Sequence, residues 1–304
     1  MSADLRVRLG PLELPNPVGV ASGTFGYGAE YEELVDVDSL GALYTKAVTP
    51  EPRPGNAAPR IVETPAGMLN SIGLANPGLE AFLRDKLPEL RKRRCAVLVN
   101  VAGATEEDYV RVVEGVEAAG GADGYEINVS CPNVKKGGMA FGTDPRLVEA
   151  VTAALRARTR RPLVVKLSPN VSDIGEAARA AEAGGADAVS AVNTLVGMVI
   201  DVRRRRPVLA MRTGGLSGPA IRPVGVAMVY KASRAVRIPV IGLGGIMTAE
   251  DALQYLLAGA AAVQVGTGSF VEPRTALRVL EGLRAWMTES RIARVSDIPA
   301  LLEG

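Results

Sequence analysis

Two lysines, a cysteine, a series of asparagines and two glycine-rich runs carry most of the chemistry this sequence can offer. Lys46 stands in YTKAV and Lys166 in VVKLS. A lone ammonium buried inside such an apolar run is costly unless it is paired or used. One lysine of this kind could snorkel to the margin of a strand, but two at equivalent places mark a charged site. Asn100, Asn128 and Asn193 close further apolar runs, and Asn70 lies in a long irregular stretch. A carboxamide offers two donors and an acceptor, which suits a planar ligand with amide edges, although any single Asn is also a common turn residue. Cys131 follows EINVS. A thiolate there can be a nucleophile or a general base, and the plain alternative is an inert packing thiol. Cys95, entering a strand behind RKRR, reads as packing. The runs GLGGIMTAEDA (242–252) and VGTGSF (265–270) place glycine amides where an anion could approach closely. Gly244, Gly245, Gly266 and Thr267 are the candidate phosphate amides, with Gly218 from TGGLSGPA; the alternative is a set of tight turns.

The elements that must position these residues recur along the whole chain. Short runs rich in Val, Ile and small residues, the pattern of buried parallel strands, fall at 17–22, 42–48, 96–102, 124–130, 162–168, 186–193, 238–245 and 261–268. Amphipathic stretches lie between most of them, such as 144–158 and 172–185. Asp144, Ser172 and Thr248 stand where helices should be capped, and Gly184 and Gly185 where one should stop. Eight strands alternating with helices predict an α/β fold of the closed (β/α)8 TIM barrel type. Segments 49–77, 131–143 and 194–219 are insertions after strands 2, 4 and 6. They hang from the C-terminal face, where such barrels carry their sites, and the loops after strands seven and eight are the usual phosphate site. No linker divides the chain, so residues 1–304 read as one domain.

Composition narrows the classes. The chain has 304 residues, 35 Lys+Arg against 33 Asp+Glu, and aromatics at only 4%. That balance supplies neither the basic field of a nucleic-acid or membrane-surface protein nor a base-stacking platform. The runs RKRR (91–94) and RRRR (203–206) therefore read as solvated faces, the first closing a helix. No stretch reaches the roughly 18 apolar residues of a membrane span, and the opening MSADLRVRLGPLELPNP lacks a secretory apolar core, so a cytoplasmic protein is expected. With no histidine and two cysteines, imidazole bases and His-containing or four-sulfur metal sites are excluded, and no metal is expected. Proton chemistry near neutral pH falls to Cys, Lys, Tyr or a carboxylate.

With these residues in view the chain resembles the soluble class 1 dihydroorotate dehydrogenases, flavin enzymes of pyrimidine synthesis. The resemblance runs from about residue 5 to about 285 and rests on NPVGVASGTFGYG, YTKAVT, NSIGLANPG, NVAG, EINVSCPNVKKGG, VVKLSPN, AVNT, TGGLSGPA, GLGGI and VGTGSF in barrel order. GTGSF stands where GTANF is more usual, and MRTGG replaces a pair that often contains Asn. The NPG loop, TGGLSGPA and NVKKGG are closest to class 1B, which uses NAD as acceptor through a second subunit carrying FAD and a 2Fe-2S cluster. Class 1A works with fumarate. Class 2, with its N-terminal membrane extension and serine base, does not match.

The resemblance implies one FMN per chain and oxidation of (S)-dihydroorotate to orotate on the route to UMP. It makes Cys131 the general base. It places FMN against Ser22, Lys46, Ala47, Asn100, Asn128, Lys166, Val192, Gly218, Gly244, Gly245, Gly266 and Thr267. Lys166 would face the pyrimidine side of the reduced flavin, and Lys46 both cofactor and substrate. The substrate would be held by Lys46, Asn70, Ser71, Ile72, Gly73, Leu74, Asn128, Asn193 and Thr194. The Cys131 loop, with Gly137 and Gly138, would serve as a lid. A homodimeric core joined by the electron-transfer subunit into a heterotetramer is expected. The rival readings are flavin barrels acting on dihydrouracil or on tRNA dihydrouridine, the latter needing an RNA-binding surface, and a non-redox phosphate-binding lyase or isomerase.

Overall fold

The computed structural model describes residues 3–130 and 141–303. The apolar runs form short parallel strands: β1 Val18–Val20, β2 Ala42–Tyr44, β3 Ala96–Val101, β4 Gly124–Asn128, β5 Leu163–Lys166, β6 Ala188–Ala191, β7 Val240–Leu243 and β8 Ala262–Val265. Each pairs with the next, and β8 returns to β1 through Val263 opposite Val18, closing the barrel. The chain is thus a (β/α)8 barrel, as its periodicity predicts. Val18, Val20, Leu43, Leu98, Val164, Val189 and Ile241 are almost wholly withdrawn from water. Burial on both faces is why these strands are continuous apolar runs rather than alternating ones.

The covering helices are α1 Glu106–Ala118, α2 Pro145–Arg156, α3 Ile174–Ala183, α4 Arg222–Ala235, α5 Ala249–Leu257 and α6 Thr275–Glu289. A helical stretch at 78–90, with a π-helical turn at Phe82–Lys86, precedes β3, and only short 3-10 turns connect β1 to β2. Asp144 caps α2 through the Arg146 amide, and Thr248 caps α5 in a reciprocal box with Asp251. The cap of α3 departs from expectation. Asp173, not Ser172, accepts the Gly175 amide at 2.8 Å, because an Asx side chain reaches the amide two residues ahead and Ser172 lies one residue too early. Gly184 closes α3, and Gly185 follows at φ +91°.

Two features close the ends of the barrel. An N-terminal hairpin, Val7–Leu9 with Leu12–Leu14, covers the end from which the strands start. A Cβ on Gly10 at its turn would lie 2.7 Å from the Cβ of Asp187, just before β6. At the opposite face, insertions 49–77 and 194–219 join in one antiparallel sheet, in the order Leu195–Gly197, Gly214–Ser217, Gly67–Asn70 and Ile61–Thr64. Their composition suggests only irregular loops. Non-local pairing, with Asn70 opposite Gly215, makes them a sheet. Most of the insertion 131–143, including Cys131, Gly137 and Gly138, lies outside the described residues.

The α5 cap provides a stability test. Thr248→Ala removes the hydroxyl that accepts the Asp251 amide at 3.2 Å and is expected to cost about 1 kcal/mol. Urea unfolding should show the lower midpoint with an unchanged slope.

Candidate active site

The floor of the site is a charged cluster inside the barrel. Glu126 on β4 is fully buried. Its carboxylate accepts hydrogen bonds from Asn100 Nδ2 at 2.7 Å, Ser190 Oγ at 2.9 Å and Gln264 Nε2 at 2.9 Å. Lys166 Nζ stands 3.6 Å from it. Five strands contribute one side chain each to this cluster, which is how an ion pair with a fully enclosed carboxylate is compensated. Lys166 is 6% exposed and, among the described residues, its ammonium has the Glu126 ion pair and donates no hydrogen bond. The Oδ1 of Asn100 and the Oε1 of Gln264 are buried without a partner among the described residues. Tyr44 from β2 joins the cluster, and burial together with the Glu126 charge holds its phenol far above the usual range.

Above this floor three strand ends and the cover sheet meet. Gly218, Gly244 and Gly245 have φ of +93°, +125° and +69°, values that favour glycine. A Cβ on Gly245 would be 2.7 Å from the carbonyl of Gly218, and one on Gly218 would be 2.7 Å from the Cα of Gly67. Thr267 Oγ1 donates to Ser217 Oγ at 2.8 Å. Gly266, by contrast, faces room: the nearest atom to a Cβ there is Ala21 Cβ at 3.6 Å. Among the described residues, the amides of Gly244, Gly245, Gly266 and Thr267 have no acceptor within the chain. Unpaired amides packed too closely for side chains are what an anion cradle requires. The N-terminus of α5 adds little to it, since the Asp251 carboxylate already accepts the amides of Met247 and Thr248 and pairs with Arg222. Ser22 sits beside the cradle, because the Ala21 amide is bonded to the Val265 carbonyl at the end of β8.

The expected asparagines gather on the same face. Asn193 Nδ2 donates to Asn128 Oδ1 at 3.3 Å, and the Thr194 amide donates to Asn193 Oδ1 at 2.8 Å. The Thr194 side chain packs against Gly215, whose carbonyl accepts Asn70 Nδ2 at 3.3 Å. Asn70, Thr194, Asn193 and Asn128 thus form one chain of neighbours. The turn after Asn70 runs through Gly73 and Leu74, both at positive φ, and is braced by Asn56, whose Nδ2 donates to the Ser71 carbonyl at 3.0 Å. Ser71 Oγ is buried without a partner. Asn100 stands apart, since its Nδ2 is spent on Glu126 beneath the other residues. Lys46 and Ala47 follow β2 and run beside Asn100, with the Val48 amide bonded to the Asn100 carbonyl at 2.8 Å. The Lys46 side chain is half-buried and has no acidic partner among the described residues. Val192 is buried and bonded by its amide to the Leu243 carbonyl.

The proton carriers are few. Burial raises the phenols of Tyr27, Tyr125 and Tyr255 as it does that of Tyr44. It also pushes the Cys95 thiol up to about 12, so that this cysteine stays protonated and packs as expected. The arginine runs lie mostly at the surface, with Arg91 donating to the Ala119 and Gly121 carbonyls, but Arg93 departs from the expected solvated face: its side chain is largely buried and pairs with Glu32. Arg204 pairs with Asp201. The residues missed in the sequence are Glu126, Ser190 and Gln264. Glu126 in GYEIN and Gln264 in AVQVG are polar interruptions of apolar strands, the same anomaly that singles out Lys166.

Comparison with known proteins agrees with this geometry. The sequence matches the family model described as dihydroorotate dehydrogenase over residues 4–287. It is 53% identical over 304 residues to the catalytic subunit of dihydroorotate dehydrogenase B (NAD(+)) of Trichlorobacter lovleyi, covering 100% of both chains. It is 52% identical over 303 residues to that of Pelobacter propionicus, again covering 100% of each. The crystal structure of the dihydroorotate dehydrogenase of Eimeria tenella in complex with ferulenol superposes with a TM-score of 0.78 at 25% identity, covering 97% of this chain and 87% of that one.

The cradle gives a direct test. Gly245→Ala places a methyl group 2.7 Å from the Gly218 carbonyl at φ +69°, a strain of about 1–3 kcal/mol. It is expected to weaken FMN binding about tenfold or more, read by fluorescence titration of the deflavinated chain. Unchanged affinity would remove the cradle from the phosphate site.

Proposed function

The chain belongs to the dihydroorotate dehydrogenase family, and from that premise we propose that it is the FMN-bearing catalytic subunit of an NAD-linked enzyme that oxidises (S)-dihydroorotate to orotate in pyrimidine biosynthesis. The assignment of its site rests on the close meeting of Gly218, Gly245 and Gly67 beside amides unpaired among the described residues, on the same barrel face to which β8 leads from Gln264 of the charged floor. These residues fit a flavin mononucleotide. The cradle takes the phosphate, while Lys166, Lys46, Asn100 and Asn128 line the path of the ring, with Ser22, Ala47 and Val192 at its margins. Bound there, FMN supplies the acceptor for the hydride that leaves carbon 6 of dihydroorotate.

The chain's own residues do the rest. Asn128, Asn193 and Thr194, with Asn70 through Leu74 and Lys46, hold the substrate ring and its carboxylate. Their donors and acceptors are already oriented by one another, which limits the ordering needed when substrate binds. Cys131 removes the proton from carbon 5. The residue before it, Ser130, is tied to the floor: its Oγ donates to the Lys166 carbonyl at 3.2 Å and its amide to Asn128 Oδ1 at 3.3 Å. The Lys166 ammonium stabilises negative charge accumulating on the pyrimidine edge of the cofactor. The partner subunit in this reading carries FAD and a 2Fe-2S cluster and binds a homodimeric core. Val196, Met198, Ile200 and Val202, all exposed on the insertion 194–219, supply apolar surface of the kind subunit interfaces bury. No described helix is long and apolar enough to cross a membrane.

Two measurements test this reading. Cys131→Ala is expected to retain FMN and to lose turnover about 10²-fold or more, the usual contribution of a general base; full turnover would exclude Cys131. With dihydroorotate as donor, the FMN-loaded chain should reduce an artificial dye alone but NAD only after the electron-transfer subunit is added. Efficient turnover of the lone chain with fumarate would instead make it a fumarate-linked enzyme.

A further inference from the structure

We propose that Glu126 is a positioning residue that sets how much positive charge Lys166 presents to the bound flavin, and thereby how strongly the site favours the reduced cofactor. The inference rests on the reading above for the identity of the cofactor, and on the described cluster for the rest. Among the described residues, Glu126 is the only acidic group paired with Lys166. The separation of 3.6 Å is an ion pair rather than a short hydrogen bond. Three neutral donors from three other strands, Asn100, Ser190 and Gln264, surround the same carboxylate at 2.7–2.9 Å. They share its charge and prevent it from swinging toward the lysine. A bare lysine would offer a full positive charge to an anionic reduced flavin, and a tightly bonded pair would offer almost none. This arrangement holds the net field between those limits, in an interior where screening by water is weak.

The sequence offers no simpler reason for a glutamate here. A buried ion pair is weak evidence of stabilisation, and apolar residues of similar volume often serve a core at least as well. Ser190 and Gln264 touch the carboxylate, and Gln264 also bonds the Tyr44 phenol beside it, so both belong to the surroundings of Glu126. The charge balance of the floor is therefore a property of five strands acting on one ammonium.

The test is the midpoint potential of FMN bound to Glu126→Gln, measured anaerobically by equilibration with a redox dye of known potential. Removing the negative charge is expected to raise the preference for reduced over oxidised FMN about tenfold or more, an upward shift of about 30 mV for a two-electron couple. Glu126→Asp, which keeps the charge, should stay within about threefold of the parent, or 15 mV on the same scale. A merely structural glutamate would lower thermal stability in both variants and leave the potential unmoved, and that result overturns the proposal. Should Glu126→Gln not fold, Ser190→Ala decides. Losing one of the shared hydrogen bonds leaves more charge on the carboxylate toward Lys166, so the preference for reduced FMN should fall. An unchanged preference in that variant also overturns the proposal. A parent chain that binds flavin and is reduced by dihydroorotate, with variants of unaltered potential, refutes this inference and not the function. A parent that binds no flavin refutes the function itself.

Discussion

A carboxylate enclosed at the centre of a barrel has to be compensated from several directions at once, and Glu126 imposes that demand on five strands. Asn100, Lys166, Ser190 and Gln264 each come from a different strand, and all converge on the two oxygens of Glu126. Losing one partner of such a cluster leaves a charge or dipole unpaired in an apolar interior, at a cost of about 3–5 kcal/mol where an ion pair is broken. The register of the barrel is therefore tied to the geometry of its floor. Asn100 stands opposite Glu126 on the neighbouring strand, and Ser190 stands opposite Lys166. A slip of one residue at either pairing would turn these groups into the helical layer.

What is built on that floor depends on close backbone contact rather than on side chains. Glycines at positive φ let the ends of β7 and the segment after β6 touch, and the same segment touches Gly67 in the first insertion. The two insertions are distant in sequence yet share a sheet through Asn70 and Gly215. The asparagines proposed to read the substrate and the amides proposed to take the phosphate are therefore parts of one connected roof. Preorganisation of this kind lowers the cost of ordering a ligand between floor and roof.

The strands and most helices of this chain were legible because burial on both faces writes an unmistakable apolar run, and because Asp144 and Thr248 announce their helices. The lysines, the asparagines and the glycine loops were legible as anomalies at strand ends, and the structure brings most of them to one face. The cover sheet was not legible, since pairing between residues as far apart as Asn70 and Gly215 leaves no local period to read. Neither was the N-terminal hairpin, whose strands are only three residues long. Glu126 was visible in GYEIN as clearly as Lys166 in VVKLS, but its meaning lies in contacts with Ser190 and Gln264 that no spacing announces. Asn100 reads in the sequence as a ligand contact alone, and the further bond from its Nδ2 to Glu126 becomes visible only in the fold. The role of Cys131 rests on the sequence motif and on the anchored Ser130 that leads into it.

In the proposed reaction the cradle and the charged floor together hold a flavin that accepts hydride from dihydroorotate. The most direct measurement is an anaerobic titration of the FMN-loaded chain with dihydroorotate while the visible absorbance of the flavin is followed. Stoichiometric bleaching is expected, with orotate formed in equal amount and colour restored on admitting an oxidant. A flavin that stays oxidised through excess dihydroorotate, in a chain that still binds FMN, would contradict it.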